Sequence, residues 1–411
     1  MKENFFSNIF KKYTDANLIL KIAIGIAFGV ILAFFFPNLK PVKMLGELFI
    51  GALKGIAPIL VFILVMSSLA TGQIKKDGRF KVIVLLYLIS TFLASCISVV
   101  LSFIFPLTLT LAQGSEIAAS SPASLTEILH NLLINIVANP IVSLSSANYL
   151  GILFWAILFG AGMKSVASDN TKKFLSDIAD CIGKVVCKII DFAPFGIMGL
   201  VFGAVSSNGT EIFAEYGKLI LLLVFCMLFV YFVSNPLVVF IVTRKNPYPL
   251  IWTCLKESGI TAFFTRSSAA NIPVNMALCE KLKLDKNVYS ISIPLGATIN
   301  MSGAAVTITV MTLAAVHTLG IDVGLVMALI LGLMASFAAC GASGVAGGSL
   351  LLIPLACSLF GISNDIAIQV VGVGFIIGVI QDSLETALNS SSDVIFTAAA
   401  EYRKQRKQQT A

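Results

Sequence analysis

Apolar runs of membrane-spanning length recur along this chain and constrain its fold more than any other feature. A helix needs about 20 apolar residues to cross the hydrocarbon core of a bilayer. Only 12% of the 411 residues are charged and 57% are apolar, whereas a soluble protein carries about 25% charged residues. The pattern predicts an all-α polytopic membrane protein. The runs are residues 18–36, 42–71, 82–112, 149–168, 184–206 and 217–243, followed by a long apolar region to residue 399.

The positions of Lys and Arg predict the orientation of these runs. Basic residues occupy the N-terminus, the connections 75–81 and 164–184, the pair Arg244 and Lys245, and the C-terminal tail. The connection 113–148 has no Lys or Arg, and only Lys40 and Lys43 break the asymmetry. Because basic connections stay on the cytoplasmic side, both termini are expected in the cytoplasm. This distribution accounts for the net charge of +7 without a nucleic-acid partner.

Two stretches in the second half do not fit a single crossing. Residues 249–280 are largely apolar, yet basic residues flank them on both sides, which predicts a re-entrant hairpin from the cytoplasm with Pro273 at its tip. Residues 318–364 have a glycine-rich centre and no flanking Lys or Arg, which predicts a second hairpin from outside. The alternative is one over-long buried helix plus an interfacial segment in each region. Eight transmembrane helices plus two re-entrant helical hairpins, in inverted repeats, follow from the first interpretation.

The final helix places four polar side chains within about 60° of one another at 100° per residue: Asp382, Thr386, Asn389 and Asp393. Glu385 lies at the edge of this stripe. Acids inside a membrane normally line a pathway or hold a cation. If the helix instead leaves the membrane near Ser390, these acids are solvated.

The preceding crossing contains the segment PLGATINMSG, residues 294–303. Pro, Gly and Asn are poor helix formers, so a break here would free carbonyl oxygens. Such oxygens opposite Asn389 and Asp393 favour a sodium site. The alternative is a kink without a ligand.

Four motifs occur in order between residues 255 and 400: TRSSAANIP, PLGATINMSG, CGASGVAGG and QDSLETALNSSSD. Together they resemble the dicarboxylate/amino acid:cation symporter family, which has the glutamate-transporter fold, and within it the bacterial members that carry serine and threonine with sodium. The resemblance implies sodium-coupled import of small neutral amino acids by alternating access, through a homotrimer in the bacterial inner membrane. It also implies three regions: scaffold and trimerisation helices in residues 1–245, a transport core in 246–400 and a basic cytoplasmic tail in 401–411. Parts of the first region join the transport unit.

The resemblance further implies roles for single residues. Asp382 would bind the substrate ammonium and Asn389 its α-carboxylate, with Thr386 beside them. Tyr87, Ser90 and Thr91 match a polar triplet that helps to form a further cation site in acidic-substrate relatives. The other implied substrate contacts are Ser267, Ser268, Val345 and Glu385, and the implied gate is Gly344, Gly347 and Gly348. The implied ligands of one sodium ion are Gly296, Asn300, Asn389 and Asp393. A second sodium ion is implied at Thr298 and Met301, near residues 339–342.

Three departures from that family bear on the substrate and the ions. Glu385 stands where acidic amino acid transporters have an Arg, and Ala304 where they have a Thr, so a neutral substrate is expected instead of glutamate or aspartate. Glu385 is expected to pair with Arg266 at the first hairpin tip. Ser302 replaces an Asp of relatives that couple several sodium ions, so fewer ions per cycle, as few as one, are expected.

Three other functions compete with this interpretation. A carrier of acidic amino acids or dicarboxylates, coupled to sodium or protons, is the main alternative, and a channel is the second. A membrane enzyme would need a nucleophile and a base, and the only histidines, His130 and His317, lie far apart in the sequence. Sodium is the only cofactor expected, and no organic cofactor is.

Overall fold

The structure, a computed structural model, describes residues 18–71, 78–111, 134, 136–209, 212–341 and 347–409, and the regular secondary structure of these residues is helical. No strand occurs among these residues. The prediction of an all-α fold is therefore confirmed for the described ranges, whereas the division into scaffold and transport core stays a prediction.

The first half contains nine helices within the described residues. Between α8 and α9 the chain forms a π-helical turn, Val230–Ser234, directly before Asn235 and Pro236. Proline has no backbone N–H to continue the regular pattern, which accounts for a break at this point. The helices are α1 Leu18–Phe35, α2 Lys40–Thr71, α3 Gly78–Ile104, α4 Pro140–Ser145, α5 Tyr149–Val166, α6 Asp169–Asp191, α7 Ala193–Asn208, α8 Ile212–Phe229 and α9 Asn235–Thr243.

The second half contains eight helices in the described ranges, several of them short. A π-helical turn, Leu255–Gly259, joins α10 to α11, and a single 3₁₀ turn, Leu350–Leu352, precedes α16. The helices are α10 Tyr248–Cys254, α11 Ile260–Thr265, α12 Ile272–Lys281, α13 Lys286–Ile299, α14 Ser302–Thr318, α15 Leu325–Ala339, α16 Ile353–Ser358 and α17 Asn364–Gln409.

The helices on either side of both predicted hairpin tips contact each other. Arms α10–α11 and α12 meet through Ser258 and Asn275, whose side chains are 2.5 Å apart. Helices α15 and α16, the arms of the second predicted hairpin, contact each other. Residues 342–346 between them lie outside the described ranges. Entry of these hairpins into a membrane from one side stays a prediction.

Four helical stretches among the described residues are long and apolar enough to cross a membrane, and a pair bent by 52° would make a fifth. The count of eight crossings therefore stays a prediction as well. The four are Gly78–Ile104, Ala214–Thr243, Lys286–Thr318 and Asn364–Arg406, and the bent pair is Asp169–Asp191 with Ala193–Ser207.

The packing divides the helices into two groups. Helices α1, α2, α5, α6 and α7 pack mainly on one another, whereas α3, α8 and α9 pack on helices of the second half. The long helix α17 lies at the centre of that second group, where it contacts α14, α11, α9 and α13. The apolar window of Lys286–Thr318 is 94% buried, against 50% for Gly78–Ile104, so the helix that contains the predicted break lies deepest.

Candidate functional site

The polar stripe of α17 is buried in the folded protein. Asp382 is 2% exposed, Thr386 6%, Asn389 3% and Asp393 0%. The alternative in which these groups are solvated beyond the end of the helix therefore does not hold. Side chains on α13, α14 and the first hairpin surround them.

The break predicted in residues 294–303 is present. Helix α13 ends at Ile299 and α14 begins at Ser302, and both Asn300 (φ −92°, ψ 78°) and Met301 (φ −118°, ψ 47°) leave the helical conformation. The Nδ2 group of Asn300 donates to Asp393 Oδ1 at 2.9 Å, and also to the backbone oxygen of Asn389 at 3.2 Å. The break thus brings the amide of Asn300 against the buried carboxylate of α17.

Two oxygen atoms at this break lack a hydrogen-bond donor although they are buried: Asn300 Oδ1 and Asp393 Oδ2. A buried acceptor without a donor is unfavourable, and hard cations prefer oxygen ligands. Gly296 has no side chain beside this carboxylate, and a Cβ there would lie 2.7 Å from Asp393 Cγ. The residues present therefore fit a sodium ion, with carboxylate and amide oxygens as its ligands.

Asn389 faces the start of α14. Its Oδ1 accepts from the backbone N–H of Gly303 at 2.7 Å, and its Nδ2 donates to Met301 Sδ at 3.4 Å. A thioether sulfur is only a weak acceptor. The Asn389 N–H group is thus available to a stronger acceptor such as a carboxylate.

Glu385 is 5% exposed and receives three hydrogen bonds from neutral groups. Thr307 Oγ1 donates at 2.7 Å, Ser349 Oγ at 2.8 Å and Gln381 Nε2 at 2.5 Å, all to Oε2. No described residue donates to Oε1. The family resemblance did not suggest these three donors; the only sequence signal was the i, i+4 spacing of Gln381 and Glu385.

Arg266 pairs with Asp382 in the structure, and the expected pairing with Glu385 is not formed. Its Nε lies 2.7 Å from Asp382 Oδ2, while the backbone N–H of Gly347 donates to Asp382 Oδ1 at 3.2 Å. The reason is steric: a Cβ at Gly303 would lie 2.8 Å from the Glu385 Cα. Because α14 approaches so closely, Glu385 contacts Thr307 of α14 and Ser349, whereas Asp382 contacts Arg266 and Gly347.

The other predicted substrate and gate residues have varied surroundings. Ser268 is 3% exposed, and half-buried Ser267 accepts from the N–H of Ala270 at 3.2 Å through its Oγ. Gly348 is buried. Gly344 and Val345 lie outside the described residues.

Thr298 and Met301, the ligands predicted for a second ion, lie on either side of the break. The hydroxyl of Thr298 donates to Leu295 O at 2.7 Å, and Met301 is 2% exposed. Met301 belongs to the same buried apolar cluster as Ala339.

The polar triplet on α3 is satisfied by its neighbours. Tyr87 Oη lies 3.2 Å from the backbone oxygens of Ser292 and Asp393. Ser90 Oγ donates to Asn235 Oδ1 at 2.9 Å and lies 3.1 Å from Ser302 Oγ. Ser302 therefore takes part in a network of neutral groups.

A polar cluster that the sequence prediction did not include fastens the first hairpin to α17. Asn271 Nδ2 donates to Ser390 Oγ at 2.8 Å, and Asn275 Nδ2 donates to Ser390 O at 2.8 Å. Ser258 from the other arm joins them, 3.0 Å from Asn271 Nδ2. The i, i+4 spacing of the two asparagines was the available signal, because a polar pair on one face of a short apolar helix needs buried partners.

An ionic cluster links three helices at the end of the molecule where α3 begins. The Arg79 guanidinium lies 2.9 Å from Asp285 Oδ2 and 3.0 Å from Glu401 Oε1. The backbone N–H of Asn287 and the Arg79 guanidinium hold the pKa of Asp285 below its usual value. The starts of α3 and α13 and the end of α17 are therefore joined by charge.

Comparison with known proteins agrees with this arrangement. The profile described as the sodium:dicarboxylate symporter family matches residues 18–402. The serine/threonine transporter SstT of Bifidobacterium adolescentis is 58% identical over 396 residues, which is 96% of this chain and 92% of that protein. The serine/threonine transporter SstT of Streptococcus agalactiae serotype III is 56% identical over 391 residues, 95% of this chain and 97% of that protein. The chain belongs to the sodium:dicarboxylate symporter family.

Proposed function

We propose that the chain is a secondary transporter, not an enzyme, which imports serine or threonine together with sodium ions. The observation that supports this best is the buried stripe of α17, where Glu385, Asn389 and Asp393 face a broken helix. Membrane proteins retain buried acids where a substrate or an ion uses them. Relatives more than half identical over nearly the whole chain are named serine/threonine transporters.

Asp382 and Asn389 bind the backbone groups of the amino acid in this proposal. Asp382 supplies a carboxylate for the ammonium, and Asn389 Nδ2, whose partner is a thioether at 3.4 Å, turns to the α-carboxylate. Thr386 lies between them on the same helix face. The hairpin tips with Ser267, Ser268 and Val345 enclose the substrate.

Glu385 selects the side chain of the substrate. Its Oε2 is held by three neutral donors, so the carboxylate is fixed and no described cation neutralises it. A second carboxylate from aspartate or glutamate would be repelled at short range. An ionised carboxylate only accepts hydrogen bonds, so Oε1 suits the hydroxyl that serine and threonine share.

The sodium ion binds at the break of the α13–α14 helix. Asp393 Oδ2 and Asn300 Oδ1, both buried without a donor, are the side-chain ligands, and the carbonyl oxygens of Gly296 and Asn389 complete the set. When bound, the ion neutralises Asp393. A second ion, implied by the family resemblance, binds near Thr298 and Met301.

The transporter works by alternating access. It has eight crossings, two re-entrant hairpins and cytoplasmic termini, lies in the bacterial inner membrane and assembles as a homotrimer. The group of helices around α17 moves against α1, α2, α5, α6 and α7. The second hairpin, with Gly344, Gly347 and Gly348, is the gate because glycine tolerates many backbone angles.

A carrier of dicarboxylates or acidic amino acids is the second candidate, since the description of the family names dicarboxylates. Such a substrate needs a cation for its second carboxylate. The cation described near the stripe, Arg266, is engaged with Asp382 at 2.7 Å, and Glu385 adds a negative charge. These contacts favour the neutral substrate.

Uptake of labelled serine into proteoliposomes tests the function directly. An inward sodium gradient should drive accumulation, and a proton gradient alone should not. Unlabelled threonine should compete, whereas aspartate and succinate should not, and liposomes without protein give the background. Sodium-independent serine uptake, or competition by succinate, would contradict the proposal.

A further inference from the structure

Asp382 is the point where both hairpins contact the long helix. One oxygen pairs with Arg266 of the first hairpin at 2.7 Å, and the other accepts the N–H of Gly347, beside the second hairpin tip, at 3.2 Å. The side chains of Arg266 and Asp382 are 11% and 3% exposed. The carboxylate that is proposed to bind the substrate ammonium is thus already paired with a cation of the protein.

The balance of charge around Asp382 depends on Arg266. Its neighbour on the helix, Glu385, is also an acid, and its partners are neutral. In the described part of the chain, Arg266 is the cation in contact with Asp382. Removing one member of a buried ion pair is strongly unfavourable because the other charge stays behind without a partner.

The backbone holds Arg266 in an unusual conformation. It ends α11 with φ 51° and ψ 32°, in the left-handed region, while its N–H still donates to Ala262 O at 2.9 Å. This position at the end of a helix is usually glycine, and a side chain there costs about 1 kcal/mol or more. The ion pair with Asp382 offsets part of this cost.

A small cavity adjoins the ion pair. Arg266, Gly347 and Asp382 line it together with Gly378 of α17, and Ile190 and Ile197 of the first-half helices also line it. A Cβ on Gly378 would meet no atom within 4 Å. The ion pair between Arg266 and Asp382 therefore borders a cavity on the side of Gly378.

We propose that Arg266 is the counter-cation of the empty carrier. Resting on the proposed function, this assigns Arg266 the role of holding Asp382 while no substrate is bound and yielding it to the substrate ammonium. In the loaded carrier the ammonium neutralises Asp382, and in the empty carrier Arg266 does. The moving unit then never crosses the membrane with Asp382 unpaired, and Arg266 is a positioning residue that acts through Asp382.

Net uptake and exchange separate this role from a structural one. Net uptake into empty proteoliposomes requires the empty carrier to return, whereas exchange in liposomes preloaded with serine does not. Arg266→Gln should lower net uptake by at least about tenfold and leave exchange within about twofold of the unsubstituted protein. Its KM for serine in exchange should fall, because a competitor for Asp382 has been removed.

Two further variants test whether the charge itself is responsible. Arg266→Lys keeps the charge and should keep the ratio of net uptake to exchange. Adding Gly378→Arg to Arg266→Gln moves the cation to the position four residues before Asp382, on the same helix face, and should restore net uptake. If Arg266→Gln does not reconstitute, the Lys variant decides, and a collapse of its ratio overturns the proposal.

Other results would overturn the counter-cation while leaving the transport function intact. They are an equal loss of net uptake and exchange, an unchanged ratio, or a serine KM that rises in Arg266→Gln. Failure of the unsubstituted protein to take up serine with sodium would instead refute the proposed function. The two failures are therefore distinguishable.

Discussion

Gly296→Ala should weaken sodium coupling by a large and specific amount. The new Cβ would lie 2.7 Å from Asp393 Cγ and 2.9 Å from Tyr87 Oη, whereas ordinary contacts begin near 3.4 Å. Both neighbours are fully buried, and the Tyr87 hydroxyl is held by the backbone oxygens of Ser292 and Asp393 at 3.2 Å. The carboxylate or the helix must therefore move by at least about half an ångström.

Overpacking of this kind costs about 1 to 3 kcal/mol. If displacement of the Asp393 carboxylate relieves the strain, sodium affinity should fall by roughly 5- to 150-fold, since about 1.4 kcal/mol corresponds to a factor of ten. The assay is serine uptake as a function of sodium concentration, in which the half-saturating sodium concentration rises. At saturating sodium, the KM for serine should change little.

Gly217→Ala is the matched control for this substitution. Gly217 also lies inside a helix, α8, but a Cβ there would meet no atom within 4 Å. Alanine should be neutral there or stabilise the helix by up to about 1 kcal/mol. An unchanged sodium dependence in correctly folded Gly296→Ala would refute the assignment of Asp393 as a sodium ligand.

Three more predictions follow from the site and its surroundings. Ser302→Asp places a carboxylate beside Ser90, whose hydroxyl lies 3.1 Å from that of Ser302, and should steepen the sodium dependence of uptake. A Hill coefficient for sodium that is already well above two in the unsubstituted protein would contradict this prediction. Glu385→Arg should lower serine uptake by at least about tenfold, because a cation replaces the acceptor in a buried site, and unchanged serine uptake would remove Glu385 from the pocket. Asp285→Asn should lower thermal stability by at most about 1 kcal/mol between pH 5 and 8, where the unsubstituted carboxylate is ionised and paired with Arg79. The pKa of Asp285 is lowered in the folded protein. The difference in stability between the two proteins should therefore persist above the pKa of the unfolded chain, about 3.9, and disappear as the pH falls through the folded pKa. A difference in stability that grows below about pH 4 would contradict this reasoning.

The helical periodicity of the sequence was enough to predict the stripe on α17, and its poor helix formers were enough to predict the break before α14. Both are local properties: the 100° spacing places Asp382 and Asn389 on one face, and Pro294 and Gly303 disfavour a continuous helix. The same spacing could not show which helix packs against Glu385. That depends on the close approach at Gly303, where a Cβ would lie 2.8 Å from the Glu385 backbone.

The partner of Arg266 shows the limit of reasoning from sequence most clearly. Charge balance predicted that Glu385 would pair with Arg266, but a second acid, Asp382, stands three residues before it and is the actual partner. Three residues leave the two side chains about 60° apart around the helix, so the spacing alone cannot tell which acid meets Arg266. Only the packed structure shows that Asp382 faces the hairpin tip.

The sequence by itself determined that this chain is an all-helical membrane protein with buried acids beside a broken helix, because length, apolar content and periodicity act within one helix. The tertiary structure decided which groups meet: Arg266 with Asp382, Thr307 and Ser349 with Glu385, and α3 with the second half of the chain. Those contacts join residues up to hundreds of positions apart, and they depend on the register and close approach of packed helices. No local pattern encodes that register, which is why the charges could be counted from the sequence but paired only in the fold.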